Sequence, residues 1–294
     1  MKYLSPSSIE AYHENGYLVI KDFLNDQEIA TLLRDAQKAI GNFNPIDLKI
    51  FTTENQTDVL DEYFLESARN ISCFLEEKAI DADGMLNRPK ELSINKIGHA
   101  MHDLNPDCQK VVYQQKLLDI LTGIGLKKPI IVQSQHIFKQ PKIGAKVNPH
   151  TDSTFIYTDP LTCTGAWIAL EDAHLENGCL WVLPGSHRHY KLQQQYVLNE
   201  AGTGTQMTDT PYPRQEWDLS QLRPVCVQKG DMILIHGELV HASKANISGK
   251  SRHAFVLHMV DKTADWSPQN WLQRKQDFPF REMKVVVGEL AGMG

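Results

Sequence analysis

The 294-residue chain has no surplus of positive charge, no paired cysteine motif and no long apolar run. Its formal net charge is -6, whereas a general nucleic-acid binder or a protein of anionic membrane surfaces would carry a basic excess. The five cysteines, Cys73, Cys108, Cys163, Cys179 and Cys226, form no C-x-x-C pair and are odd in number. That excludes a secreted disulfide framework and a zinc knuckle; free thiols in a reducing, cytoplasmic setting are expected. No stretch approaches the ~18 apolar residues of a membrane span. The opening "MKYLSPSSIEAYHENGY" lacks the apolar segment of a signal peptide, so the sequons at Asn55, Asn70 and Asn246 are read as accidental. Internal repeats and low-complexity linkers are also missing.

What is present suits a folded chain with a sizeable core, since 41% of residues are hydrophobic. Ser5-Pro6 marks a helix start that Gly16 ends, "YLVI" (17–20) a short strand, and Asn25 or Asp26 the cap of a helix striped by Ile29, Leu32, Leu33, Ala36 and Ile40. Residues 56–80 read as a further helix with Leu60, Phe64, Ala68, Ile71 and Leu75 on one face, and 81–90 as a loop. Beyond ~90 the texture turns to short strands rich in β-branched and aromatic residues, at 129–140, 164–173, 178–186, 231–239 and 252–260. Between them, 191–224 is polar and without clear period, a lid or a disordered surface loop. The expected architecture is mainly β with flanking helices, a jelly-roll core. One domain over 1–294 is expected: a mainly helical preface (1–90), then the core (91–294) with 191–224 as a lid-like insertion.

Chemistry concentrates in "NPHTDSTF" (148–155), where His150 and Asp152 are two residues apart. On a strand, such residues share a face and could reach one metal; the same spacing also suits a hydrogen-bonded polar turn. A third ligand must come from elsewhere. "GDMILIHGELVHAS" (230–243) offers His236 and His241, five apart and on opposite faces, so period alone does not choose. "HASKANISGKSR" (241–252) reads as a hairpin with residues 246–249 at its tip. That register sets Ser243 opposite Arg252, with His241 on the same face. Two imidazoles and one carboxylate on one side of a metal leave open positions, the arrangement of non-haem Fe(II) oxygenases. The guanidinium fork of Arg252 suits a carboxylate and Ser243 adds a hydroxyl, so the patch implies a keto acid with a second carboxylate.

Other residues divide between readings. "GCLWVLPGSHR" (178–188) is favoured as a core strand bounded by turns, with His187 in a loop. His99, His102, His136 and His258 are open between site and structure. Cys179 reads as a small buried hydrophobe. Lys139, Lys142 and Lys146 are either a phosphate-binding cluster or a solvated edge.

Taken together, "YHENGYLVIKDFLNDQEI" (12–29), "SINKIGHAMH" (93–102), "VQSQHIFKQPKIGAKVNPHTDSTF" (132–155), "ENGCLWVLPGSHR" (176–188), "IHGELVHASKANISGKSRHAF" (235–255) and "WSPQNWL" (266–272) make a chain that resembles the phytanoyl-CoA dioxygenase family of Fe(II)/2-oxoglutarate oxygenases, and within it the domain-containing subgroup. The resemblance implies a double-stranded β-helix. It implies iron on His150, Asp152 and His241, and 2-oxoglutarate on Arg252 and Ser243, with Lys96, Gln135 and Trp167 lining the co-substrate; Gln135 stands where relatives often carry Met. It also implies Fe(II) as cofactor, 2-oxoglutarate and O2 as co-substrates, and ascorbate as a supporting reductant. Related halogenases have a small residue in place of Asp152, so hydroxylation or demethylation is the expected outcome. An acyl-CoA, a nucleoside, another small metabolite or a modified protein side chain remains open as substrate. A 2-oxoglutarate-sensing module and a non-oxidative cupin enzyme are the competing readings.

Overall fold

Local capping chemistry sets the N-terminal elements. Ser5 accepts from the Ser8 amide and Pro6 opens helix α1 (Pro6–Asn15), which Gly16 closes at a φ of 80°. Strand β1 (Tyr17–Ile20) leads to α2 (Asp26–Asn42), where Asn25 and Glu28 form a capping box and Ile29, Leu32, Ala36 and Ile40 are buried. The computed structural model describes residues 3–45, 50–51 and 62–283; Asn55 and Leu60 lie outside them.

Next come β2 (Ile50–Phe51), α3 (Glu62–Glu66), β3 (Ile71–Glu76) and β4 (Ile94–His99), then three helices, α4 (Met101–Leu104), α5 (Pro106–Val112) and α6 (Gln115–Gly123). The β core continues with β5 (Pro129–Lys139), β6 (Val147–His150), β7 (Thr158–Asp159), β8 (Thr164–Ala169) and β9 (Leu180–Val182). After α7 (Ser186–His189) come β10 (Gln194–Leu198), β11 (Thr205–Asp209) and β12 (Arg223–Val225). The last strands are β13 (Met232–His236), β14 (His241–Ser243), β15 (Arg252–Asp261) and β16 (Asp265–Trp266).

Eight strands form a major sheet in the order β1-β13-β8-β15-β5-β4-β3-β2, and four a minor sheet, β12-β9-β14-β6. This is the jelly-roll core with flanking helices. Period two sorts the major sheet's residues. Trp167, Ala169, Ile233, Ile235, Ala254 and Val256 pack inward with Leu180 and Val182 of β9. Their neighbours Ala166, Ile168, Leu234, Phe255 and Leu257 pack outward with the α2 and α6 residues Ile29, Leu32, Leu117 and Leu121. Helices thus cover one face, and the other looks into the gap between sheets.

Some expectations change and others are settled. Residues 71–76 are strand, not helix: β3 is buried on both faces, and a short continuous apolar run carries no period to separate the two. The preface therefore adds β1, β2 and β3 to the major sheet. Residues 101–123, within the expected jelly-roll core and left unassigned there, hold three helices, and Asn105 caps α5 by accepting from the Asp107 and Cys108 amides ahead of Pro106. For 191–224, left open between a lid and a disordered loop, disorder is set aside, with β10 and β11 paired antiparallel from Gln194–Asp209 to Leu198–Thr205. The 241–252 hairpin does not form, because β14 pairs with β6 and β9 while β15 pairs with β5 and β8.

Candidate active site

The minor sheet brings two imidazoles together. His241 on β14 is the cross-strand partner of His150 at the end of β6, and their ring centroids are 4.3 Å apart. Each ring turns its Nδ1 to a carbonyl oxygen two residues earlier, His150 to Asn148 at 2.8 Å and His241 to Leu239 at 3.0 Å. Nδ1–H donation leaves both Nε2 atoms as lone-pair donors, the tautomer a metal requires.

Asp152 is not on the strand with His150; it opens a 3-10 turn, Asp152–Thr154. The turn is docked where the Ser153 amide donates to the Gly237 carbonyl at 2.8 Å. The Asp152 carboxylate Oδ1 then lies 3.6 Å from His241 Nε2 and 3.9 Å from His150 Nε2. Among the described residues, ligand atoms of His150, Asp152 and His241 all lie within 4.8 Å of one another. Two neutral imidazoles and a carboxylate, with no thiolate, fit an Fe(II) centre with open positions.

Electrostatics favour that state. Burial alone would raise the Asp152 pKa, but the imidazoles of His258 and His241 outweigh it and hold the carboxyl well below its ordinary range. His150 is pushed down to about 4 by burial, with the His241 imidazole adding to the effect, so its ring is neutral at physiological pH.

The major sheet faces this cluster with a row set by period two. On β15, Arg252, Ala254, Val256 and His258 share the inner face. His258 Nε2 lies 3.3 Å from Asp152 Oδ1, and its strand neighbour Gly165 is so close that an added Cβ would meet Asp152 Oδ2 at 2.9 Å. Arg252 is 2% exposed, and its Nε and Nη1 have no hydrogen-bond partner. Its guanidinium carbon sits 5.1 Å over the Trp167 ring, and burial pushes its pKa down to about 10. A buried cation with two idle donors fits an incoming carboxylate, which is the test 2-oxoglutarate has to pass.

One cavity of about 430 Å³ between the sheets is lined by His150, Asp152, His241, Ser243 and Arg252. Lys96, Gln135 and Trp167 line it too. All eight residues singled out in the sequence therefore meet in one place. Burial lowers the Lys96 pKa to about 7, and Gln135 Nε2 donates to Gln133 Oε1 at 2.9 Å. Phe155, Tyr196, Met207 and Trp271 form an aromatic and apolar wall on the same cavity.

Two histidines left open between site and structure line the cavity, His99 and His258. His258 shares parity with Arg252, six residues before it, and that spacing was its one sequence signal. His99 bonds through Nδ1 to Ser67 Oγ at 2.7 Å, and Ser67 gives its own proton to the Phe64 carbonyl. His99 therefore carries its proton on Nδ1 and leaves Nε2 without a partner. The other histidines serve the frame. His236 stacks near His187 at 4.7 Å, His187 meets the His13 carbonyl, and His136 stacks on Phe138 at 4.4 Å. His102 and Arg274 both contact Asp103, at 3.1 and 3.0 Å.

Lys139 and Lys142, left open between a phosphate-binding cluster and a solvated edge, are both engaged with carbonyl oxygens. Lys139 is buried, with Nζ donating to the Ala145 and Lys244 carbonyls at 2.6 Å each, and Lys142 donates to the Ile247 carbonyl at 2.7 Å. No helix among the described residues is long and apolar enough to cross a membrane.

A model of the phytanoyl-CoA dioxygenase (PhyH) family matches residues 12–254. A phytanoyl-CoA dioxygenase of Arabidopsis thaliana is 42% identical over 272 residues, covering 92% of this chain and 94% of that one. The phytanoyl-CoA dioxygenase domain-containing protein 1 of Bos taurus is 39% identical over 290 residues, covering 95% and 98%. Among solved structures, the non-haem α-ketoglutarate-dependent carbocyclase SnoK from nogalamycin biosynthesis superposes with a TM-score of 0.64 at 18% identity, over 95% of this chain and 97% of that one. EctD from S. alaskensis, solved with 2-oxoglutarate and 5-hydroxyectoine, gives 0.62 at 20% identity, over 92% and 84%. At such identities the structural likeness speaks for the fold.

Proposed function

The chain belongs to the phytanoyl-CoA dioxygenase family; on that premise we propose that it is an Fe(II)- and 2-oxoglutarate-dependent dioxygenase in which His150, Asp152 and His241 hold the iron and Arg252 anchors the distal carboxylate of 2-oxoglutarate. Iron(II), when bound, activates dioxygen and couples oxidative decarboxylation of 2-oxoglutarate, to succinate and CO2, with oxidation of the substrate. The protein's part is positioning. Arg252 donates from Nε and Nη1 to the carboxylate, and the Trp167 ring beneath keeps the guanidinium plane fixed. Ser243 gives a hydroxyl to the same end, while Lys96 and Gln135 line the co-substrate's path. His258 donates to the Asp152 oxygen and keeps the carboxylate turned toward the two imidazoles.

The reaction proposed is hydroxylation, or demethylation, of a small molecule. The cavity volume falls in the ~300–1,000 Å³ range of small-ligand sites. Phe155, Tyr196, Met207 and Trp271 would hold an uncharged, apolar reacting portion and exclude water from it. With Lys139 and Lys142 committed to carbonyls, these lysines offer no support for a CoA phosphate site.

The observation that carries the reading is the unpartnered, buried Arg252 in the same cavity as the His-Asp-His cluster. The test is succinate formation from 2-oxoglutarate with Fe(II), ascorbate and O2 across a panel of small hydrophobic compounds. Turnover should disappear in Asp152→Ala and Arg252→Ala. A wild type that binds no 2-oxoglutarate in the presence of Fe(II) would overturn the assignment.

A further inference from the structure

Cys179 and Cys226, far apart in sequence, come together on the minor sheet. Strand β12 pairs with β9 so that Val225 faces Leu180. Cys226 and Cys179 lie just beyond that last pair of the ladder, and their sulfurs are 3.9 Å apart. Sulfurs this close can reach the ~2.05 Å of a disulfide by rotation of the two side chains. The two thiols are unequal: Cys226 is exposed and Cys179 is fully buried. Cys73, Cys108 and Cys163 are buried. The pair also adjoins the active site. On its other edge β9 pairs with β14, with Leu180 opposite Ser243 and Val182 opposite His241. The Cys179 sulfur is near enough to Arg252 for the two groups to interact electrostatically.

We propose that Cys179 and Cys226 are a peroxide-sensitive dithiol whose closure to a disulfide weakens 2-oxoglutarate binding. The second half rests on the co-substrate assignment above. The Cys226 thiolate attacks one oxygen of hydrogen peroxide, the O–O bond breaks, and the departing hydroxide leaves as water with the thiol's proton. The Cys179 sulfur then attacks the sulfenic sulfur of Cys226. The S–S bond forms, the S–O bond breaks, and a second water carries off the hydroxyl and the Cys179 proton. Two thiols are oxidised by two electrons and one peroxide is reduced to two waters. Burial raises the Cys179 thiol to about 12, and the neighbouring Cys226 adds to that rise. The like-charge part of this effect is gone once Cys226 is a neutral sulfenic acid, while Arg252 and Lys244 continue to favour the thiolate. Closing the sulfurs to ~2.05 Å turns the Cys179 side chain toward Cys226, off its present rotamer, and so changes what the buried Arg252 guanidinium interacts with.

The experiment treats the full-length protein with hydrogen peroxide. Non-reducing peptide mapping should find the peptides bearing Cys179 and Cys226 joined, with the loss of two hydrogens. Anaerobic calorimetry with Fe(II) should find 2-oxoglutarate bound about three- to tenfold more weakly, the size of one displaced rotamer. Dithiothreitol should reverse both, and Cys226→Ser should show neither. Oxidation that stops at Cys226 sulfinic acid, or a joined peptide with unchanged affinity, overturns the proposal. The joined peptide is read without iron or co-substrate. A reduced protein that binds no 2-oxoglutarate would defeat the co-substrate assignment and the affinity half together, leaving the cross-link result to stand by itself.

Discussion

Replacing Arg252 by methionine separates what the residue does for binding from what it costs the fold. In the ligand-free protein the guanidinium is buried with Nε and Nη1 unpaired, and its pKa falls from 12.5 to about 10. A drop of that size corresponds to roughly 3 kcal/mol against the charged form. The folded pKa lies below the unfolded one for a basic group. The penalty is therefore in force at every pH below about 10 and is relieved only as pH rises through about 10 to 12.5. Mutation reaches it where pH cannot. Methionine keeps an unbranched stem that can pack on Trp167 and removes the buried charge, so ligand-free stability should be unchanged or higher by ~1–3 kcal/mol. Binding should move the other way. Two charge-assisted hydrogen bonds at ~1.5–3 kcal/mol each amount to ~3–6 kcal/mol, or about 10²–10⁴ in 2-oxoglutarate affinity. Urea unfolding under anaerobic conditions, with Fe(II) and with or without 2-oxoglutarate, reads both quantities. The wild-type midpoint should rise with ligand; the variant should start at or above wild type and stay there. A variant that is clearly less stable without ligand, or still stabilised by 2-oxoglutarate, would refute the reasoning.

Gly165→Ala places a Cβ 2.9 Å from Asp152 Oδ2, so the carboxylate must turn; metal affinity should fall about 10–100-fold, and a Co(II) titration matching wild type would show that the oxygen has room. His258→Leu removes the donor to Asp152 and should weaken Co(II) binding by a similar ~10–100-fold, with His258→Gln recovering part of it. Lys96 titrates near 7 in the fold against an ordinary 10.5 because of burial, so native stability gains from it as pH rises from about 7 toward 10.5. The difference in unfolding free energy between wild type and Lys96→Met should change across that window; a constant difference would show that Lys96 stays charged.

Individual strands and their faces could be read from the chain, but not the partners they take. The choice of His241 over His236 illustrates this. A supposed hairpin put Ser243 opposite Arg252, yet β14 and β15 belong to different sheets. The residues still meet because each lies on an inward face, and a gap of ~10 Å between stacked sheets brings inward side chains together as surely as a shared strand pair. Asp152 was expected on the pleat after His150 and instead sits in a turn held by the Gly237 carbonyl, a contact with a segment eighty-four residues away that local pattern cannot contain. The α5 start was missed, although Asn105-Pro106 repeats the logic of Ser5-Pro6. His258 was left open, although its parity with Arg252 pointed to the same face. Lys139 carried no such signal: an exposed lysine and one buried against two carbonyls look the same in sequence.

The division of the site between layers has a mechanical consequence. His150 and His241 stand on the four-stranded sheet and Arg252 on the eight-stranded one. A five-carbon keto acid held at both ends would act as a tie-rod across the sandwich, fixing the separation of the two sheets at the cavity. Its arrival should stiffen strands far from the iron, and its conversion to a shorter acid would release that tension at the moment a product has to leave.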